Sequence, residues 1–144
     1  NCSSLTTPPD VSGWTQVTSA RSAFFRCSSL TTPPDVSGWT QVTSARSAFF
    51  RCSGLTSAVN ITNWNPTILI DASDMMSGIS AAGFDQAAYD ATLIAWDNAY
   101  DLTTVNTLSI HFGLAQYTTG GQAEAARTKL VNAGWTITDG GPSA

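Results

Sequence analysis

CSSLTTPPDVSGWTQVTSARSAFFR, the stretch from Cys2 to Arg26, recurs letter for letter from Cys27 to Arg51. A third, degraded copy starts at Cys52. Two identical copies at a fixed period of 25 residues are typical of a stacked solenoid, in which each repeat forms one rung. Identical rungs place like side chains in rows, whereas a catalytic site needs unlike side chains in one place. The repeat therefore favours a surface that binds or builds something.

The apolar positions of the repeat predict the interior of the stack. If extended segments pair, equivalent residues lie about 4.8 Å apart along the stack. Equivalent Cys positions indicate buried thiols, with disulfides or metal ligands as the alternative. The Trp residues indicate a core-covering role, with an exposed ligand-stacking platform at Trp14 as the alternative. The predicted columns are Cys2/Cys27/Cys52, Leu5/Leu30/Leu55, Val11/Val36/Ile61, Trp14/Trp39/Trp64 and, with one residue inserted in the third copy, Phe24/Phe49/Met75 and Phe25/Phe50/Met76.

Local signals divide each rung. Pro8-Pro9 and Ser12-Gly13 predict bends, because Pro lacks an N–H donor and Gly adopts unusual dihedral angles. The stretch VTSARSAFFRC has apolar residues at helical intervals, which predicts a short helix or a 3₁₀ turn.

The period is lost from about Ser77, and the remaining sequence predicts a cap. FDQAAYDATLIAW places Tyr89, Leu93 and Trp96 on one face of an amphipathic helix. TLSIHFG alternates as a half-buried strand, QAEAARTKLVNA predicts a helix that ends at Gly134, WTIT predicts a last strand, and DGGPSA predicts a tail or linker. We therefore expect three rungs in residues 1–77 (2–26, 27–51 and 52–77) and a capping segment in residues 78–144 that covers the last rung.

The composition predicts a folded chain of the exported or assembled kind, because hydrophobic residues reach 42% and charged residues only 11%. The first 51 residues carry four Arg and two Asp, and the rest of the chain carries two basic and eight acidic residues. A contact between a basic and an acidic end is one interpretation of this imbalance, and a solvated surface is the other.

Several partners and settings are disfavoured by the sequence. No Lys/Arg cluster accompanies aromatic residues, which argues against nucleic acid, and no apolar run is long enough for membrane insertion. The missing initiating Met and signal peptide predict a processed chain or a piece of a longer one.

Few residues suggest chemistry. His111 is the only histidine and no nucleophile motif accompanies it, so a hydrogen-bonding role is favoured over that of a general base. Asp71 with Asp74, and Asp97 with Asp101, lack calcium-loop spacing, so turns are favoured over metal sites. We expect no catalytic residue, cofactor or metal.

The strongest candidates for binding are two columns of Arg. Like charges one rung apart repel unless water or an acidic partner screens them. One hypothesis places these side chains and two Asp on a contact surface, and the alternative is that each Arg pairs locally with an Asp or a main-chain carbonyl. The residues concerned are Arg21, Arg46, Arg26, Arg51, Asp10 and Asp35.

The rung pattern resembles the BspA-like leucine-rich repeats of bacterial surface proteins: CSSLT at its start, a Trp in the middle and an aromatic pair before the next Cys. The ending, with FDQAAYDATLIAW, TLSIHFGLAQY, AARTKL and GWTITDGG, is similar to the segment that closes such arrays. The resemblance covers nearly the whole chain. It implies an α+β fold: a short leucine-rich-repeat solenoid closed by a C-terminal helix-strand-helix-strand cap.

The departures from this pattern leave two settings open. Pro8-Pro9 and Pro33-Pro34 replace a leucine-containing strand, and such shortened variants are similar to repeats of bacteriophage tail-fibre and virion proteins. The resemblance implies a non-enzymatic adhesion or recognition module, extracellular on a cell surface or on a virion exterior, whose repeated face binds a protein or glycan. The alternative is a structural subunit of a virion or surface filament, a homo-oligomer assembled through its open repeat end.

Overall fold

The structure, a computed structural model, describes residues 2–144. Its helices and strands are α1 (Gln86–Ala99), β1 (Ser109–His111), α2 (Gln122–Asn132) and β2 (Thr136–Thr138). All four follow the repeats, which consist of turns, bends and isolated bridges. Neither helix is long and apolar enough, within residues 2–144, to cross a membrane.

A series of parallel pairings runs from the first repeat into the C-terminal segment. Ser44 bridges Ser19 of the preceding repeat and Asp71 of the following one. Ala72 then bridges Ile110 of β1, which pairs in parallel with β2. The repeats and the capping segment are therefore joined edge to edge through their main chains.

The main chain of residues 20–27 is satisfied by an alternating pattern of hydrogen bonds. The N–H groups of alternate residues donate to the next repeat, from Ala20 to Ser44, Ser22 to Arg46, Phe24 to Ala48 and Arg26 to Phe50, over 2.7–2.9 Å. The N–H groups between them close turns within the repeat, from Ala23 to Ala20, Phe25 to Ser22 and Cys27 to Phe24. The first repeat thus depends on its neighbour for four of these seven bonds.

This pattern explains why no α-helix forms where helical spacing suggested a short helix or a 3₁₀ turn. Ser22 and Arg26 have φ angles of 52° and 56°, which a right-handed helix does not allow. Such angles are unfavourable for residues with a Cβ. The hydrogen bonds to the next repeat hold them, and the segment is a run of tight turns.

The predicted single-residue insertion in the third repeat is wrong, because two residues are inserted. Ser44 pairs with Asp71 at an offset of 27, and the N–H of Phe49 donates to Met75 just as that of Phe24 donates to Ala48. Met76 is therefore equivalent to Phe49. The positive φ angles agree with this register, since they recur at Ser22, Ser47 and Asp74 and again at Arg26, Arg51 and Gly78.

The core contains the Val11/Val36/Ile61 column and, in the corrected register, Phe24/Phe49/Met76, whereas Phe25 and Phe50 are half-buried and Ser77 takes the third position of their column. The first repeat is open on its outer side. Trp39 and Trp64 are buried, whereas 57% of Trp14 is exposed. Cys27 and Cys52 are buried, whereas Cys2 is exposed. The carbonyls of the first repeat that correspond to the accepting groups of the second receive no hydrogen bond within residues 2–144; they belong to Ser19, Arg21, Ala23 and Phe25.

The capping segment packs its helices and strands on the third repeat. Asp85 caps α1 by accepting from the N–H of Ala88, and the buried face of the helix contains Tyr89, Leu93 and Trp96. Ile110 of β1 is also buried, as are Leu108 and Phe112, the residues on either side of the strand. Helix α2 ends before Gly134, whose φ of 106° suits a glycine.

The C-terminal stretch DGGPSA is part of this packing, so its interpretation as a tail or linker is wrong. The N–H of Gly140 donates to Ala115 at 2.8 Å, and that of Ser143 donates to Tyr117 at 2.9 Å. Pro142 forms a parallel bridge with Tyr117. These bonds fix the end of the chain against residues 115–117.

Candidate binding face and cap network

The four Arg of the first two repeats are exposed and form no ion pair within residues 2–144. The two ion pairs of that part of the chain lie in the capping segment, between Arg127 and Asp139 and between Lys129 and Asp97. The local ion pairing considered as the alternative for these Arg is therefore not observed. Their role in a contact surface remains a prediction.

Arg26 and Arg51 are held in the same way on neighbouring repeats. Each guanidinium carbon lies 5.2 Å from the centre of the preceding Phe ring, Phe25 or Phe50. The two rings stack with their centres 5.1 Å apart and their planes 9° apart. Cation–π attraction favours a fixed position for each guanidinium, so the pair is partly preorganised for a ligand.

A groove runs beside this pair. It has a volume of about 410 Å³ and is lined by Ser3, Ser28 and Ser53, together with Arg26 and Arg51. The serines occupy the same position in the three repeats. We call these five residues the arginine–serine groove. Arg21 and Arg46 do not line it.

Asp10 and Asp35 form turns in the structure. The Oδ1 atom of Asp10 accepts from the N–H and the hydroxyl of Ser12 at 3.1 and 2.6 Å, and Asp35 repeats this with Ser37. These bonds, first those from the serine hydroxyls, lower the pKa of both carboxyl groups. Asn60 takes the equivalent position with Thr62. An amide therefore fills this structural role equally well.

The same Asp/Asn-x-Ser/Thr turn occurs at two of the acids considered for calcium. Asp71 accepts from Ser73, and Asp101 accepts from Thr103. Within residues 2–144 no three His, Cys, Asp or Glu side chains are grouped as a metal site would require. The sequence signal that could have identified these turns is an Asp or Asn followed two positions later by a Ser or Thr.

The capping segment contains a buried polar network that no local sequence signal indicated. The Tyr89 hydroxyl donates to Asp139 at 2.6 Å, and the Nε of Arg127 donates to the same carboxylate at 2.7 Å. The Arg127 guanidinium also lies 4.8 Å from the centre of the Tyr117 ring. The network joins α1, α2 and the end of β2.

Burial opposes ionisation of Asp139, but the hydrogen bonds from Arg127 and Tyr89 outweigh it and hold the pKa of Asp139 below its usual value. Burial, followed by the bond to Asp139, raises the pKa of Tyr89. Tyr89 is therefore a hydrogen-bond donor and Asp139 an anion at neutral pH. This arrangement suits a structural clamp.

The remaining reactive side chains also have structural partners. The Nδ1 of His111 accepts from the N–H of Gly113 at 3.0 Å, which fixes the imidazole in the bend after β1. The thiol of Cys52 donates to the carbonyl of Phe24 at 3.0 Å. Burial raises the pKa of Cys27 to about 11 and that of Cys52 to about 12.

The arginine–serine groove thus combines unpaired charge with repeated geometry, whereas the other polar clusters serve the fold. No family model, curated protein or solved structure matches this chain.

Proposed function

We propose that this chain is a short leucine-rich-repeat solenoid of the BspA-like kind with a helix–strand cap. We further propose that it is a non-enzymatic recognition or adhesion module, displayed on a cell surface or virion exterior. Main-chain and side-chain bonds between residues 25 apart support the stacked fold, such as the bond from Thr43 to Thr18 and that from Thr56 to Thr31. The binding face is the exposed pair Arg26 and Arg51 on the first two repeats.

One observation carries this proposal: Arg26 and Arg51 have the same position over stacked Phe rings, and neither has an acidic partner within residues 2–144. Holding two like charges one repeat apart is unfavourable unless they are screened. Water screens part of this repulsion at the exposed side chains, and a partner with negative charge, protein or glycan, removes the rest. Arg21 and Arg46 are also exposed, but they do not line the groove.

A binding screen tests the proposal. The purified chain is applied to arrays of cell-wall glycans and host surface proteins, beside a variant with Arg26 and Arg51 both replaced by Gln. We expect saturable binding to at least one array component and its loss in the variant, with unchanged circular dichroism. Binding that survives in the variant, or no binding to either array, contradicts the proposed function.

A second candidate, assembly through the open repeat end, rests on Trp14. In the second and third repeats the indole N–H donates to the preceding repeat, from Trp39 to Val11 at 3.3 Å and from Trp64 to Val36 at 3.0 Å. Trp14 is exposed instead and has no such acceptor within residues 2–144. Sedimentation that shows concentration-dependent association, abolished by Trp14→Ala, would support this candidate, and a monomer at all concentrations would exclude it.

A further inference from the structure

We propose that the arginine–serine groove binds a linear acidic polysaccharide, one that carries carboxylate or sulfate groups along its chain. This inference rests on the proposed recognition function and names its ligand class. The argument uses the spacing of the two Arg, the row of hydroxyl groups beside them and the lack of a free aromatic or apolar anchor.

The two guanidinium groups are arranged to bind two anionic groups in succession. The stacked rings of Phe25 and Phe50 hold them at neighbouring positions, 5.2 Å from each ring centre. Guanidinium groups bind carboxylate and sulfate through paired N–H donors. A linear acidic polysaccharide presents such groups at regular intervals, so one chain can neutralise both Arg.

The third repeat ends the row of Arg. Gly78 takes the position of Arg26 and Arg51, and a Cβ built on it would lie 3.1 Å from the Cγ of Arg51. The glycine therefore leaves space for the aliphatic part of the Arg51 side chain. Ser77 takes the position of the stacked Phe rings, so the groove has two cationic positions and no third.

The serine row suits a hydroxyl-rich ligand. Ser3, Ser28 and Ser53 are exposed along the groove, one from each repeat, and each hydroxyl can both donate and accept a hydrogen bond. Sugar hydroxyls between the anionic groups offer matching partners. The groove thus offers two Arg and three Ser side chains to one ligand.

Other polyanions fit the groove less well. Bases of a nucleic acid bind by stacking on aromatic faces, and the guanidinium groups already lie over the Phe25 and Phe50 rings. An acidic peptide gains much of its affinity from apolar side chains held in pockets, and the apolar surface of this groove is only the aliphatic part of Arg and Ser, with no larger apolar or aromatic residue. These features favour a polysaccharide.

Titration calorimetry with size-defined oligosaccharides tests the inference. The probes are a heparin-derived tetrasaccharide for sulfate, a polygalacturonate tetrasaccharide for carboxylate, a neutral dextran oligosaccharide and a short poly-glutamate peptide. The proteins are the unchanged chain, Arg26→Gln/Arg51→Gln, and the matched control Arg21→Gln/Arg46→Gln. The control removes the same charge from the same two repeats outside the groove. Thermal melting checks that each variant folds.

We expect at least one acidic tetrasaccharide to bind, with affinity about 10- to 100-fold weaker in the groove variant and within about threefold in the control. Arg26→Lys/Arg51→Lys, which keeps the charge but not the paired donors, should give an intermediate loss. Equal losses in groove variant and control would overturn the inference in favour of net charge alone. So would binding of poly-glutamate but neither tetrasaccharide. Absence of binding to every probe would also overturn it, while the array screen separately decides the recognition function.

Discussion

The indole N–H of Trp96 in helix α1 donates to the main-chain carbonyl of Ile61 at 3.3 Å. This is the same bond that Trp39 makes to Val11 and Trp64 to Val36, the residues equivalent to Ile61 in the first two repeats. The helix therefore supplies the side chain that a fourth repeat would have supplied. The hydrogen bond from an indole N–H to the carbonyl of the preceding repeat thus recurs between the cap and the third repeat, although Trp96 lies outside the repeats.

Replacing Trp96 by Phe should destabilise the chain by about 1–3 kcal/mol, because the indole N–H bond to Ile61 is lost, which leaves that carbonyl with the N–H of Trp64 alone, and because the smaller ring leaves a cavity in the core. Urea denaturation followed by far-UV circular dichroism measures this change. Trp14→Phe is the matched control and should shift the free energy of unfolding by less than about 0.5 kcal/mol, since Trp14 is exposed. Equal effects of the two substitutions would contradict the assigned role of Trp96.

Asp139→Asn should cost about 2–4 kcal/mol, because it removes the anion that binds Arg127 while Arg127 stays charged and partly buried. The Asp139 side chain is 4% exposed and that of Arg127 is 21% exposed. The control is Asp97→Asn, whose partner Lys129 is 46% exposed, and it should cost less than about 1 kcal/mol. Chemical denaturation compares the two, and a larger effect of Asp97→Asn would refute the clamp.

The same network predicts a loss of stability in acid. The pKa of Asp139 is lower in the folded chain than the unfolded value of about 3.9. Its contribution is therefore complete above that value and is lost as the pH falls through the folded pKa. Asp10 and Asp35, whose pKa values are also lowered, contribute with the same sign. Urea midpoints from pH 6 to pH 2 should fall less steeply in Asp139→Asn, and an unchanged slope would argue against the network.

Thiol labelling should separate the three cysteines. Cys2 is exposed, whereas Cys27 and Cys52 are buried and their pKa values are raised to about 11 and about 12. Because the thiolate is the reactive form, a disulfide reagent at pH 8 should modify Cys2 rapidly and the other two only on unfolding. Cys2→Ser removes the rapid phase if this assignment is correct. A rapid phase that persists would show that the buried positions open readily.

Insertion of one more copy of residues 2–26 between Arg26 and Cys27 should add one buried layer. The free energy of unfolding and its dependence on urea should both increase, since each repeat adds an interface and buried surface. One Trp should remain accessible to acrylamide before and after insertion, because a new copy buries its own Trp and leaves Trp14 exposed at the end. Two accessible Trp, or unchanged stability, would show that the inserted copy does not stack.

Part of the fold and of the candidate site follows from the sequence. The buried face of α1 could be predicted because its apolar residues recur at helical spacing, and the pairing of Arg26 with Arg51 because identical residues recur at the repeat period. The insertion of two residues rather than one could not be predicted from the sequence. Met75 and Met76 are both apolar, so an apolar residue falls opposite Phe49 in either register. The φ angles and hydrogen bonds decide it.

The polar network of the cap was unpredictable for a different reason. Tyr89 and Asp139 lie 50 positions apart, and their bond depends on how two helices and the chain end pack together. The Asp/Asn-x-Ser/Thr turns can be predicted from the sequence, because the acceptor and its donor lie only two positions apart. Short-range hydrogen bonding leaves a signature in the sequence, and long-range pairing of single polar residues does not.

The unbonded carbonyls of Ser19, Arg21, Ala23 and Phe25 give the array a direction. Two such segments brought together about a two-fold axis would oppose acceptor to acceptor, so they cannot pair with each other. Only a segment that presents N–H groups in the manner of Ala20 to Arg26 can extend the row. A two-fold contact through these four carbonyls is therefore disfavoured, and they suit a segment that donates in parallel, as Ala20 to Arg26 do.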